Sequence, residues 1–310
     1  MSPEPLEPTA QEAERRAVIA AVPIEDDAPP ALPRRKLPRS FWWLAIPLLV
    51  LAVLSFLAPW LPITAPGAQD LQNRFQPPFW MDGGSLSRPF GTDQLGRDIF
   101  ARIIYGGRLT FMIAFAAVLF GSLFGTLMGM LAGYLRGRTD AAISRLIEAQ
   151  LALPVVLLAM SIIVSAGRSL TVLVLVLAVI GWAQYARVVR AETMALRERP
   201  FILGLRAAGA PTWRIVLRHI FPNIGSTFLV LTTLEVGAMI LAESALSFLG
   251  LGVVAPDVSW GAMLADGREF LRDAWWLVTI PGVFITLVVL LVNLLGDVLR
   301  TTYDVRKRTY

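Results

Sequence analysis

Six apolar runs in this chain contain none of its 28 arginine and lysine residues: 41–61, 109–133, 151–166, 170–186, 224–249 and 276–295. A hydrocarbon core takes about 20 consecutive apolar residues as a helix. Soluble cores do not exclude basic residues so cleanly; membrane spans do. A chain whose backbone must be satisfied inside lipid is limited to helices or a closed barrel, and runs of this length select helices. The expected fold class is therefore all-α, a polytopic membrane protein with six transmembrane helices. The third run is the shortest, and Gly167-Arg168-Ser169 separates it from the fourth as a tight external hairpin.

Composition excludes several kinds of chemistry. Hydrophobic residues make up 55% of the chain and charged residues 16%, against about 25% charged in an ordinary soluble domain. With no cysteine and one histidine, His219, there is neither a disulfide framework nor a thiolate or multi-histidine metal site. The only lysines, Lys36 and Lys307, each follow an arginine. A phosphate-binding loop needs Gly-Lys-Ser/Thr, so this chain cannot hold ATP in that way. His219 lies in a loop and not in a cavity, which argues against a Ser/His/Asp catalytic site. No catalytic residue, metal or cofactor is assigned, and any energy must arrive from another chain.

Charge also sets the expected orientation. With the N-terminus inside, the inner segments (1–40, 134–150, 187–223 and 296–310) hold 20 basic residues and the outer segments hold 8. The positive-inside bias places both termini in the cytoplasm. The outer segment 62–108, with Arg74, Arg88, Arg97, Arg102 and Arg108, fits this count least well. Trp42, Trp43 and Trp60 bracket the first run, and Trp275 and Trp276 stand at the outer end of the last, as interfacial anchors. Residues 1–40 are rich in Pro, Ala and acids before Arg34-Arg35-Lys36, and read as a disordered cytoplasmic tail without the pattern of a cleaved signal.

Within the spans two features stand out. Gly121, Gly125, Gly129 and Gly133 form a stripe at four-residue spacing, which lets another backbone approach closely and is compatible with a sliding interface. Glu235 and Glu243 are the acids well inside a run. Eight residues apart, they lie within about 80° of each other on a helix. They are candidates either for lining a translocation path, facing a cationic group of the cargo, or for interior hydrogen bonding.

The segment 188–223 is patterned. Pro200 opens a short helix, Gly209-Ala210-Pro211 is a stop–turn–restart, and 211–221 carries Trp213, Val216, Leu217 and Ile220 as an apolar stripe before Pro222 ends it. Two short helices protruding between membrane spans suit docking to a cytoplasmic protein better than DNA binding.

The run Arg206-Ala207-Ala208-Gly209-Ala210-Pro211, followed by Arg218-His219-Ile220-Phe221-Pro222-Asn223, resembles the signature loop of bacterial ABC-type importer permeases. Within that group the chain resembles the second channel subunit of the dipeptide/oligopeptide/nickel permease family. Three further stretches carry the likeness: Phe90-Gly91-Thr92-Asp93-Gln94-Leu95-Gly96-Arg97-Asp98, Leu241-Ala242-Glu243-Ser244-Ala245-Leu246-Ser247-Phe248-Leu249-Gly250-Leu251-Gly252, and Asn293-Leu294-Leu295-Gly296-Asp297. The family's usual Glu-Ala-Ala, six residues before the loop glycine, is replaced here by Leu203, Gly204 and Leu205.

The resemblance implies a type I ABC importer permease fold in the bacterial inner membrane. Its expected parts are the tail 1–40, a first helix with an extracytoplasmic segment over 41–107, a permease domain over 108–298 with its coupling loop at 188–223, and a tail at 299–310. It further implies that Phe201, Leu205, Arg206, Ala207, Ala208, Gly209, Ala210, Pro211 and Trp213 couple the chain to ATPase subunits that bind ATP and Mg. The other implied partners are a homologous permease subunit, an extracytoplasmic solute-binding protein and membrane lipid, with no nucleic acid. Peptides are the expected cargo. Nickel, glutathione or another small solute is the alternative within the family; a stand-alone secondary transporter or a membrane scaffold is the alternative outside it.

Overall fold

The structure is a computed structural model and describes residues 37–303. Nearly all of the tail expected at 1–40, and the end of the one expected at 299–310, lie outside the described residues. Ten helices carry the described fold: α1 (Arg39–Leu57), α2 (Ile99–Leu135), α3 (Gly137–Ala152), α4 (Val155–Ala166), α5 (Leu170–Arg197), α6 (Pro200–Ala207), α7 (Thr212–Ile215), α8 (Phe221–Phe248), α9 (Trp260–Gly267) and α10 (Trp276–Tyr303). Among the described residues, β-pairing is limited to two isolated bridges, Ser85 with Arg88 and Thr92 with Asp98.

Five helices are long and apolar enough to cross a membrane: Arg39–Trp60, α2, α5, the joined helix Thr212–Phe248, and α10. The sixth crossing exists only if α3 and α4 count as one span, because they meet at an angle of 94°. The run at 151–166 is thus not a single helix. Pro154 lacks an N–H and drives the preceding Leu153 into an extended conformation (φ −84°, ψ 136°).

Two helices overrun their expected bounds. α2 starts ten residues early, because Asp98 caps it by accepting the Phe100 N–H at 2.9 Å. Arg102 and Arg108 therefore lie on a helix and not in a loop. α10 continues to Tyr303, past the boundary expected at 298. Of the expected tryptophan anchors, Trp42, Trp43 and Trp60 are exposed at the two ends of the first span, whereas Trp276 is 4% exposed and donates its indole N–H to the Thr92 carbonyl at 3.2 Å. Trp276 is part of the core.

The bundle is organised around α2 and α5, its largest helix–helix contact. The glycine stripe of α2 lies directly on main-chain carbonyls of α5 that repeat at the same spacing. A methyl on Gly121 would stand 3.0 Å from the Ala178 oxygen, and methyls on Gly129 and Gly133 would stand 2.7 Å from those of Ala186 and Arg190. At Gly125 the Trp182 oxygen would be closer still. Any side chain at these positions separates the two backbones.

One end of the bundle is closed by a cap made from 62–98 and the 250–275 segment. The motif at 90–98 is its clasp. Thr92 donates to the Asn73 carbonyl at 2.5 Å and accepts the Gln76 N–H at 2.9 Å. Gly96 (φ +73°) rests on the Asp70 carbonyl, leaving no room for a Cβ. Asp93 accepts the main-chain N–H groups of Leu95 and Arg97, and its other oxygen receives Arg97 Nε and Arg102 Nη1, both at 2.6 Å. Arg102, 3% exposed, also reaches Asp266 of α9 at 2.9 Å. Trp260, fully buried, donates its indole N–H to the Ile103 carbonyl at 2.8 Å and so pins α9 to α2.

Two cap carboxyls are shifted in opposite senses. Hydrogen bonds from Asn73 and Arg88 hold the Asp70 carboxyl below the usual range, and burial pushes that of Asp98 up. On acidification Asp70 loses its stabilising contribution, whereas Asp98 takes up its proton more readily folded than unfolded, so the two effects oppose each other.

Candidate functional site

At the end opposite the cap, α6 and α7 form a helical hairpin with two unlike faces. α6 ends as a Schellman turn: Gly209 (φ +74°) donates its N–H to the Arg206 carbonyl and Ala210 donates to that of Leu205, each at 3.0 Å. The inner face carries Ile202, Ile215 and Ile220, at most 1% exposed, packed with Met130 and Tyr134 of α2, Val189 of α5 and Ile224 of α8. The outer face leaves Phe201, Leu203, Trp213 and Leu217 exposed, with Trp213 at 63%. Arg214 lies over the Trp213 ring, 5.7 Å from its centre.

The hairpin gathers every coupling residue expected from the sequence. Phe201, Arg206, Ala207, Ala208, Gly209, Pro211 and Trp213 are exposed, while Leu205 and Ala210 are half-buried against the inner cluster. Leu203, where the family usually carries its acid, points outward. The stripe of Trp213, Val216, Leu217 and Ile220 divides: Trp213 and Leu217 turn outward, Ile220 inward, and Val216 packs against the inner cluster.

Pro222 does not end this element, contrary to expectation. Residues 212–248 form one continuous helix through a π turn at Val216–Ile220, closed by the Phe221 N–H on the Val216 carbonyl. The wider turn makes room for the proline ring, which would otherwise strike the carbonyl four residues back. Asn223 then donates its side-chain N–H to the His219 carbonyl at 2.6 Å, supplying a hydrogen bond in the region where proline has no N–H to give.

The two carboxylates of α8 have different surroundings. Glu243 is fully buried; its Oε1 accepts Ser247 at 2.7 Å and Ser259 at 2.8 Å, and Ser244 approaches Oε2 at 3.4 Å. Of the two readings left open for Glu243, these surroundings fit interior hydrogen bonding: the carboxylate fastens the cap segment to the end of α8. Ser259 also caps α9 through the Ala262 N–H. Glu243→Ala leaves these hydroxyls without their acceptor, at about 1–3 kcal/mol. A lowered melting temperature of the purified transporter is the expected readout, with Glu243→Gln, which keeps an acceptor oxygen, milder.

Glu235 is half-buried and faces α5, its Oε2 lying 3.9 Å from where a Gly181 methyl would be. Among the described residues it forms no ion pair. Tyr185 of α5 and Thr232 of α8 bury their hydroxyls beside each other, close to Glu235. The sequence reading missed this pair. A Tyr four residues after Gly181, and a Thr three residues before Glu235, were the available signals.

Residues 125–309 match the family of binding-protein-dependent transport system inner membrane components. The chain is 37% identical over 288 residues to a putative peptide transport system permease protein of Brucella suis, covering 92% of this chain and 95% of that one. It is 38% identical to the di/tripeptide transport system permease protein DppC of Pseudomonas aeruginosa, covering 83% and 85%. It is also 38% identical to the dipeptide transport system permease protein DppC of Escherichia coli, covering 82% and 85%. Among solved structures, an inward-facing MetNI methionine ABC transporter aligns with a TM-score of 0.53 at 20% identity, over 64% of this chain and 95% of that chain. At that identity the likeness concerns fold alone.

Proposed function

This chain belongs to the binding-protein-dependent transport system inner membrane components and is a permease subunit of an ABC importer; on that premise we propose that it forms half of a path for di- and oligopeptides. The two-sided hairpin carries the coupling part of the reading. Its inner isoleucines key it into the bundle, and its outer aromatic and aliphatic residues are exposed among the described residues. Cytoplasmic ATPase subunits, which hold ATP and Mg, dock on Phe201, Leu203, Trp213 and Leu217. Their closure displaces the hairpin, and the unbroken helix Thr212–Phe248 carries that displacement into the membrane. A second permease subunit completes the path and a solute-binding protein delivers cargo to the cap. Both termini then lie in the cytoplasm. The cargo assignment leans on the peptide-transport names of the relatives.

The complete transporter with its binding protein, reconstituted in proteoliposomes, tests this directly. ATP-driven uptake of dialanine is expected for the native complex. Gly209→Trp places a side chain at a left-handed position that costs about 1–2 kcal/mol, on the docking face. It is expected to lower uptake about tenfold or more, the size of a lost coupling free energy of about 1.4 kcal/mol. Trp213→Ala removes an exposed aromatic of the kind that anchors interfaces, and is expected to act in the same direction. Retention of both assembly and uptake by these variants overturns the coupling role, and uptake of nickel in place of dialanine overturns the cargo.

A further inference from the structure

The break between α3 and α4 occurs deep in the bundle. Asp140 near the start of α3 pairs with Arg190, and Gln150 near its end donates to the carbonyls of Val179 and Ile180, so α3 runs antiparallel along α5. Ile180 is the eleventh residue of α5. At 1.5 Å per residue it lies about 15 Å from the start of that helix, half the thickness of a hydrocarbon core of about 30 Å. Gln150 stands at that depth, and Leu153-Pro154 follows within one turn.

A helix end leaves carbonyls, and a helix start leaves N–H groups, without partners inside the helix. At this break, among the described residues, the Leu153 N–H reclaims the Gln150 carbonyl at 3.2 Å and the Pro154 carbonyl accepts the Leu158 N–H at 3.1 Å, which leaves the carbonyls of Leu151 and Ala152 and the first N–H groups of α4 without a main-chain partner. No side chain caps the start of α4. Nor does Gln150 help, because its amide is committed to α5 and its oxygen accepts the Trp182 indole N–H. Residues 152–157 are all exposed on this chain. The side chains there are apolar; the polar groups are main-chain ones. Hydrocarbon does not tolerate unpaired main-chain groups, each of which costs several kcal/mol. Irregular backbone persists at such depth only where protein buries it or water reaches it.

We propose that the break at Leu153-Pro154 lines the water-filled translocation path that this chain shares with the second permease subunit, facing away from lipid. The proposal rests on the permease reading above and adds which segment of the chain forms the wall. Water, or a cargo passing through, supplies hydrogen bonds to the terminal carbonyls of α3 and the first N–H groups of α4. The apolar side chains of Leu153, Val155 and Val156 leave the wall without charge.

The chain's lack of cysteine makes the test direct. Leu153→Cys, Val155→Cys and Val156→Cys are placed one at a time in the complete transporter in proteoliposomes, with Leu49→Cys and Val53→Cys on the exposed face of α1 as lipid references. The probe is a membrane-impermeant cationic methanethiosulfonate, and labelling is read on this chain by mass. A thiol must ionise to react, and hydrocarbon suppresses ionisation, so labelling at the break is expected to be about tenfold faster or more than at α1. The rate is also expected to differ between nucleotide-free and ATP-trapped complexes, as the path changes its side of opening. Rates as slow as those at α1 in both states overturn the proposal. Dialanine uptake is measured on the same vesicles. Uptake without labelling sinks the wall assignment and leaves the function standing; labelling without uptake does the reverse for the cargo.

Discussion

Replacing Gly125 by leucine is expected to abolish the assembled protein. The Trp182 carbonyl already occupies the place of a side chain there, so α2 and α5 must separate along their whole contact. The neighbouring glycines supply an internal scale. Gly121→Ala has 3.0 Å to the Ala178 oxygen, and Gly129→Ala and Gly133→Ala have 2.7 Å to theirs. Small-to-large changes in tight packing cost about 1–3 kcal/mol and occasionally more. The alanine series should therefore rank Gly125 as most damaging, Gly129 and Gly133 next, and Gly121 as mildest. Accumulation of detergent-extracted complex, read by size-exclusion chromatography, checks the order. Equal tolerance of alanine at all four positions would refute backbone contact as the reason for the stripe.

Arg102→Met is expected to have the second-largest effect. Arg102 and Asp93 are both nearly inaccessible and bonded at 2.6 Å. Removing Arg102 takes one of two arginines from a buried carboxylate and leaves Asp93 with Arg97, so the cost lies at or below the about 3–5 kcal/mol of a fully stranded charge. The cap should then open to protease within 62–98 while the rest of the bundle stays resistant. Asp266 is 43% exposed, so Asp266→Asn should cost at most about 1 kcal/mol. Equal protease sensitivity for Arg102→Met and Asp266→Asn would show that burial does not govern this pair.

The crossing helices were legible because lipid demands apolar length and excludes basic side chains, a constraint that acts residue by residue. Two places escaped it. Pro154 stood in view, but its effect depends on whether the flanking segments can bend apart, and the anchoring of Gln150 on α5 was not visible in the chain. Pro222 was equally visible and misread in the other sense, since a π turn and the Asn223 side chain let the helix continue through it. Gly209 was correctly seen as a stop, because a glycine followed by Ala-Pro leaves few alternatives. The carboxylates show the limit most clearly. Glu235 and Glu243 look alike in one helix, and what separates them is the hydroxyl pair of Ser247 and of Ser259, sixteen residues downstream, which has no counterpart at Glu235 among the described residues. Arg102 was counted as a loop charge because the Asp98 cap that starts α2 early is a local signal easily outweighed by a nearby apolar run.

The two ends of the bundle are fastened by different kinds of force. At the cap, the Asp93–Arg102 pair and the Glu243 hydroxyl cluster are directional bonds that fix angle as well as distance. At the hairpin, Ile202, Ile215 and Ile220 sit in an apolar cluster that resists separation but sets no angle. On the coupling role proposed above, such a bundle would have its fulcrum beside the cap and its free travel beside the hairpin. Tilting is therefore the easier deformation and sliding the harder one, so a small push at the hairpin is returned as an opening that widens with distance from the pivot.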